Sequence, residues 1–241
     1  MVEAYYNNGW EAERLFRNRA NYIEYATTMK YLTAYLADSK TVLDCCAGGG
    51  VYAFPLAELG YQVTAGDLMQ LHVDIINASD KRHLLADVYK GDVRDMSRFA
   101  DETFDAVICL GALYHLFTEA DRELCVRECL RVLKTGGVFM FAYINRNAVF
   151  INRFNDDVLK DGVNGEFYRM DFGEPDKLMS GFDVTKLTDV GIDGLRYPLA
   201  DRINSADDDA FDTYMQYHFA TCEEPSIIGH SMHGLWIGRK N

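Results

Sequence analysis

An α/β fold built on a doubly wound, mostly parallel sheet of seven strands is what this 241-residue sequence predicts. Three observations carry that prediction. Short apolar runs suited to buried strands alternate with segments of helical periodicity from Thr41 to Ile144, the order that builds a parallel sheet with helices on both faces. A glycine loop, Gly48-Gly49-Gly50, follows the first run and leads into a helix. Acids close three runs in succession, Asp44, Asp67 and Asp92, which a parallel sheet gathers at one edge. One domain is expected, with a helical lid over residues 1–39, a core over 40–145, and an insertion with the final strands over 146–241.

In chain order, Tyr25, Met29, Leu32 and Leu36 recur at helical spacing and predict an amphipathic helix. Ahead of it stand Tyr5, Tyr6, Trp10, Phe16 and Tyr22, aromatic groups suited to a lid. Val42-Leu43 predicts the first strand and Tyr61 to Ala65 the second. Pro55 sits early in the intervening helix and Gly60 stops it. Leu68 to Leu85 reads as helical, with His72 and His83 as surface residues. Leu85 to Lys90 is the third strand, and Phe104 to Leu110, a continuous apolar run, the fourth. Thr118 and Asp121 resemble a capping box, and Val126, Cys129, Leu130 and Leu133 mark the buried face of the helix it opens. Gly136-Gly137 is expected to cap that helix before a fifth strand, Val138 to Ile144. Ala148 to Leu159 reads as an inserted helix with turns at Gly162 and Gly165. Val184 to Ile192 and Gly234 to Arg239 predict two late strands. Between them Asp207-Asp208-Asp209 opens a helix through Cys222, where acids favour the positive end of the helix dipole.

The stretch from Thr41 to Asp67 carries the chemistry. Glycines let the backbone approach a ligand closely, and an acid at the tip of the next strand can accept both hydroxyls of a ribose. Gly48-x-Gly50-x-x-Ala53, with Asp67 seventeen residues beyond Gly50, also fits a loose dinucleotide fingerprint. Asp44, at the entry of the loop, would repel a pyrophosphate and hold an ammonium group. A ligand with a cationic amine near the loop and a ribose near Asp67 describes S-adenosylmethionine better than NAD. Asp92 can accept a hydrogen bond from an adenine amine. Tyr114 and His115, just past the fourth strand, are candidates for contacting an acceptor, with His115 able to take a proton near neutral pH. His230 and His233 near the last strand are weaker candidates.

Composition narrows the class. Hydrophobic residues make up 49% and charged residues 25%, as in an ordinary soluble protein. No apolar run is long enough to span a bilayer, and the N-terminus lacks the pattern of a signal peptide, so a cytoplasmic protein is expected. Acids outnumber bases by 37 to 24, a net charge of −13, which disfavours a nucleic-acid substrate and favours small molecules. Six cysteines show no metal-ligand spacing and read as reduced core residues, with no metal expected.

With the strands placed, residues 13 to 145 resemble class I S-adenosylmethionine-dependent methyltransferases, a Rossmann-like fold. The resemblance rests on Val42-Leu43-Asp44-Cys45-Cys46-Ala47-Gly48-Gly49-Gly50, on Asp67, on Gly91-Asp92-Val93, on Phe104-Asp105-Ala106-Val107 leading into Leu110-Gly111, and on Arg131 to Gly137. Arg19 to Leu32 with Leu113-Tyr114-His115-Leu116 is similar to a bacterial subgroup acting on small substrates. The resemblance implies that Asp44, Ala47, Gly48 and Gly50 hold the methionine end, Asp67 the ribose, Leu68 a face of adenine, and Asp92 and Val93 its edge. Leu110 and Gly111 would line the floor near the sulfonium, while Arg19 and Thr28 close the site. S-adenosyl-L-homocysteine would be the product. Cys46 departs from the pattern, since the family usually has glycine there, and its side chain is expected to crowd the methionine moiety. An NAD(P)-dependent oxidoreductase and a non-catalytic S-adenosylmethionine-binding protein are the alternatives.

Overall fold

The computed structural model describes residues 14–153 and 167–241. Tyr5, Tyr6 and Trp10, the second half of the inserted helix, and Gly162 and Gly165 lie outside these residues. The described elements run α1 (Arg19–Tyr35), β1 (Thr41–Asp44), α2 (Ala53–Glu58), β2 (Gln62–Asp67), α3 (Gln70–Ala78), β3 (Asp87–Lys90), β4 (Phe104–Cys109), α4 (Glu119–Val132), β5 (Leu133–Ile144), α5 (Arg146–Arg153), α6 (Glu174–Met179), β6 (Val184–Gly191), α7 (Ala200–Ser205), α8 (Asp208–Thr221), α9 (Pro225–Ile228) and β7 (His233–Lys240). Seven strands form one sheet in the order β3-β2-β1-β4-β5-β7-β6. Pairings from β3 through β5 are parallel, and β7 runs antiparallel to both β5 and β6. The order reverses between β1 and β4, so a crevice opens at their carboxyl ends, where ligands bind in sheets of this kind.

Strand residues alternate between two cores because successive side chains leave a strand on opposite faces. Val42, Ala106, Ile108 and Met140 meet Leu32 and Leu36 beside α1 and Leu56 of α2. Leu43, Val107, Cys109 and Phe139 meet Cys125, Val126, Cys129 and Leu130 of α4 on the other face. Both faces of the central strands are therefore apolar, which is why they read as unbroken hydrophobic runs.

Several local expectations hold for identifiable reasons. Thr118 accepts a hydrogen bond from the Asp121 amide at 3.1 Å and starts α4. Asp207 accepts from the Ala210 amide at 2.9 Å and starts α8. Gly60, at φ +97°, ends the helix before β2 in a conformation that side chains disfavour.

Others need correction. The buried face of α1 is Ala20, Ile23, Glu24, Thr27, Thr28, Tyr31 and Leu32, rotated from the apolar stripe, while Tyr25 and Met29 are only partly buried. The helix packs on α8 and on a set of buried charges as well as on the apolar core, so polar residues share its inner face. α4 stops at Val132 rather than at the glycine pair. Phe104 pairs with Leu133 and Ala106 with Val138, so residues 134–137 loop out opposite Asp105, whose carboxylate meets Lys134 at 2.8 Å. Leu68 to Leu85 is a helix only over Gln70–Ala78, followed by a short 3-10 turn. No helix among the described residues is long and apolar enough to cross a membrane.

Trp236 of β7 fastens the antiparallel end of the sheet. It is 1% exposed, stacks on Phe141 with ring centres 5.4 Å apart, and donates from Nε1 to Asp176 at 2.8 Å. Trp236→Ala should lower unfolding free energy by about 3–5 kcal/mol in a urea titration, and Trp236→Phe by clearly less; equal losses for both would place the contribution in the hydrogen bond rather than in packing.

Candidate cofactor and acceptor site

A cavity of about 640 Å³ occupies the crevice, within the range that holds a nucleoside-sized ligand with room to spare. Its floor is the loop after β1. Gly48 and Gly50 have φ of +52° and +86°, and a Cβ on Gly50 would lie 2.6 Å from the Phe54 ring. The Ala47 amide donates to the Gly66 carbonyl at 2.9 Å and the Gly50 amide to Ala47 at 2.8 Å, so the loop is folded tightly back on β2. Asp67, 7% exposed, holds this arrangement from the tip of β2: Oδ2 accepts from the Gly48 amide at 2.9 Å and Oδ1 from the Met69 amide at 2.8 Å. His72 is buried rather than on the surface, with Nδ1 3.0 Å from Asp67 Oδ1. His83 is exposed, as expected.

Asp44 is 1% exposed and neither carboxylate oxygen has an aligned hydrogen-bond donor. Burial pushes its pKa up to about 8; the nearby Cys46 amide offsets part of this, and the charges of Asp67 and Cys109 add to it. Asp44 is not among the residues that line the cavity, although its chain neighbours Cys45 and Cys46 are.

Of the other residues assigned to the cofactor, Thr28, Ala47, Gly48, Gly50, Leu68, Asp92, Val93, Leu110 and Gly111 all line this cavity. Arg19 does not, among the described residues. Its guanidinium donates to the Asp207 carbonyl, pairs with Asp208 and lies 5.3 Å from the centre of the Phe211 ring, so it joins α1 to α8. Asp92 is already engaged: Arg94 lies 2.6 Å away, holds the Asp92 carboxyl below its usual range and also binds Asp121 at 2.8 Å. Cys46 lines the cavity, but its sulfur lies 3.8 Å from that of Cys109 and 4.0 Å from that of Cys45. The expected crowding is thus partly relieved toward the core. It falls instead on Gly111, where an added Cβ would come within 3.3 Å of Cys46 Cβ.

Tyr114 and His115 follow β4 and line the same cavity. The Tyr114 hydroxyl donates to the Leu110 carbonyl at 3.2 Å, and Phe167 packs on both rings. Burial pushes the His115 pKa down to about 4, against a smaller opposing effect of Asp67, so this imidazole is neutral and weakly basic at pH 7. Proton acceptance near neutral pH, expected of His115, is disfavoured for that reason. Phe16 and Tyr25 form the cavity's aromatic rim, with ring centres 4.8 Å apart, and Tyr25 stacks on Tyr52.

A buried charge cluster at the far end of the cavity escaped sequence reasoning almost entirely. Glu24, 5% exposed, receives both Arg14 guanidinium nitrogens at 2.7 Å and Arg196 at 3.1 Å. Burial alone would raise the Glu24 pKa, but Arg14, His233 and Arg196 outweigh it and hold the carboxyl well below its ordinary range. His233 directs Nδ1 to Asp193 Oδ2 at 2.8 Å and lies 3.5 Å from Glu24. Asp193, fully buried, also accepts from the Ser231 hydroxyl and the His233 amide. Burial opposes its ionisation, and the hydrogen bond and charge of His233 with the charge of Arg196 prevail. A carboxylate only accepts, so Nδ1 of His233 carries a proton directed to Asp193. Glu24, Arg14 and His233 all line the cavity. These residues are spread over more than 200 positions, and only His233 carried any local signal.

A glycine loop and an acid at the tip of the next strand, at the switch point of a mixed seven-stranded sheet, define a Rossmann-like fold. Residues 43–141 match the model of a methyltransferase domain. Over 168 residues the chain is 32% identical to a ubiquinone biosynthesis O-methyltransferase of Vibrio parahaemolyticus, covering 67% of this chain and 70% of that protein. Over 119 residues it is 35% identical to a glycine/sarcosine N-methyltransferase of Aphanothece halophytica, covering 48% of this chain and 44% of that protein, less than half the relative's length. An S-adenosylmethionine-dependent methyltransferase of Thermotoga maritima shares the fold over all of both chains, with a TM-score of 0.60 at 18% identity. The chain belongs to the S-adenosylmethionine-dependent methyltransferases, and S-adenosylmethionine is its methyl donor. An NAD(P)-dependent oxidoreductase and a binding protein without turnover are thereby set aside.

Two outcomes test this geometry. Between about pH 4 and pH 8 the folded protein keeps an Asp44 proton that the unfolded chain has lost, so this contribution to stability falls as pH rises and is gone above about pH 8. Thermal unfolding should show Asp44→Asn gaining stability relative to the parent from pH 5 to pH 9, and a pH-independent difference would refute a neutral Asp44. Asp67→Ala should weaken S-adenosylmethionine binding by at least ~1 kcal/mol in calorimetry through loss of charge-assisted hydrogen bonds; an unchanged Kd would remove Asp67 from the ribose role.

Proposed function

We propose that this enzyme methylates a small organic acceptor whose hydroxyl or amine must lose a proton, and that His233 takes that proton. The observation that carries the reading is the opening of the His233–Asp193 pair onto the same cavity as the glycine loop. The named relatives act as an O-methyltransferase and an N-methyltransferase, consistent with an acceptor of either kind.

When bound, S-adenosylmethionine supplies an activated methyl group, and S-adenosyl-L-homocysteine is the product. The residues that would hold it are Asp44, Ala47, Gly48, Gly50 and Thr28 at the methionine end, Asp67 at the ribose, and Leu68, Asp92 and Val93 around adenine. Leu110 and Gly111 form the floor. For Asp92 to meet the adenine amine it must share a carboxylate already held by Arg94. Methyl transfer is an in-line displacement, so alignment of the acceptor and exclusion of water supply much of the rate. Tyr114, His115 and Phe167 give the acceptor an aromatic wall, and neutral His115 offers shape and a hydrogen bond. Asp193 fixes the ring of His233 and its tautomer, Nε2 accepts the acceptor's proton, and the Glu24 carboxylate 3.5 Å from the ring stabilises the imidazolium that forms. A nucleic-acid acceptor is disfavoured by the net charge of −13.

Calorimetric titration with S-adenosylmethionine, S-adenosyl-L-homocysteine and NAD(P) should show binding of the first two only, after which phenol and amine acceptors are screened by S-adenosyl-L-homocysteine release. With the best acceptor, His233→Gln should lower kcat by about 10²–10⁴ while leaving the S-adenosyl-L-homocysteine Kd unchanged. A kcat within a few-fold of the parent across the pH range would exclude His233 as the base.

A further inference from the structure

Five of the six cysteines converge on one spot beneath the cofactor loop, although they are scattered from residue 45 to residue 129. Cys45 and Cys46 leave the end of β1, Cys109 ends β4, and Cys125 and Cys129 come from the inner face of α4. Sulfur separations are 4.0 Å for Cys45–Cys46, 3.8 Å for Cys46–Cys109 and 3.9 Å for Cys109–Cys125. The sulfurs of Cys45, Cys109 and Cys129 all lie within 4.8 Å of one another.

We propose that Cys45, Cys109 and Cys129 form a three-thiolate site for a thiophilic divalent d¹⁰ cation of the zinc type, with the fourth position left open. Thiolates about 2.3 Å from a tetrahedral zinc ion stand roughly 3.8 Å apart, and the sulfurs of Cys45, Cys109 and Cys129, all within 4.8 Å of one another, need only a small contraction to reach that spacing. Soft sulfur donors select such an ion over magnesium or calcium, which prefer oxygen. Two positive charges offset part of the thiolate charge in a pocket whose other walls, Leu113 and Val126 among them, are apolar. Cys46 stands on the wall of the ligand cavity, so the ion has an entry path. Each coordinating thiol releases its proton to solvent as its bond to the ion forms, so uptake strengthens as pH rises. Nothing in methyl transfer uses these sulfurs, and their convergence from three separate elements brings them to the end of the loop that positions the methionine moiety.

Buried cysteines also serve as small hydrophobic residues, and that reading predicts no ion. The test is an anaerobic titration of the fully reduced protein with Cd²⁺, followed through the ultraviolet sulfur-to-cadmium charge-transfer band. One ion per chain is expected, with the band and stoichiometry preserved in Cys222→Ser, which alters the cysteine outside the cluster. Cys129→Ala and Cys109→Ser should each weaken uptake by about tenfold or more. Since either variant can lose stability, two readouts use the unaltered protein: one equivalent of Zn²⁺ should raise Tm and should protect the cluster thiols from a thiol reagent under native conditions. Absence of the charge-transfer band, or Zn²⁺ that changes neither Tm nor thiol protection, would overturn the proposal. So would equal Cd²⁺ uptake by the folded Cys129→Ala protein.

Discussion

The ion pairing of Glu24 joins parts of the chain that are otherwise independent. α1 brings the carboxylate, Arg14 approaches from the segment before it, and Arg196 and His233 arrive from the region around the last two strands. Burying an unpaired carboxylate costs several kcal/mol, so these partners must assemble together or the helix cannot seat where it does. Seating α1 closes one side of the ligand cavity. The part of the cavity lined by Arg14, Glu24 and His233 is thus a consequence of charge compensation rather than of apolar packing alone.

Asp44, buried behind the loop and not lining the cavity, shows the opposite treatment. It is as deeply buried as Glu24, yet has no cation beside it, and its pKa rises where that of Glu24 falls. The carboxyl that lines the cavity, Glu24, is thus electrostatically complete, whereas burial holds the carboxyl of Asp44 toward its neutral form. Asp67 is held by the Gly48 and Met69 amides and supports the glycine turn while lining the crevice. The floor is therefore organised before a ligand arrives, which reduces the ordering cost of binding.

The two histidines after β4 and at β7 differ for a related reason. His115 is surrounded by aromatic rings, and burial disfavours its cationic form. His233 lies against two carboxylates, one of which fixes its tautomer. Chain position beside the cofactor motif favoured His115, but the environment of each ring is set by its neighbours in space, apolar and aromatic for His115 and carboxylate for His233.

The central sheet was legible in the amino-acid sequence because parallel strands buried on both faces need unbroken apolar runs, and the tight loop between β1 and β2 needs glycine at positive φ. Asp44, Asp67 and Asp92 could be placed at one edge for the same reason: the first two end parallel strands and Asp92 lies two residues beyond the end of a third. Local chemistry also determined the starts of α4 and α8, where Thr118 and Asp207 cap their own helices. Only the tertiary structure decided the rest. Arg19 was drawn away to α8, the end of α4 was displaced by the irregular pairing of β4 with β5, and the cysteines were brought together across 84 positions. Glu24, Asp193 and His233 leave no periodic trace, because long-range ion pairs depend on which faces meet when the sheet and helices pack, and that geometry has no repeat along the chain.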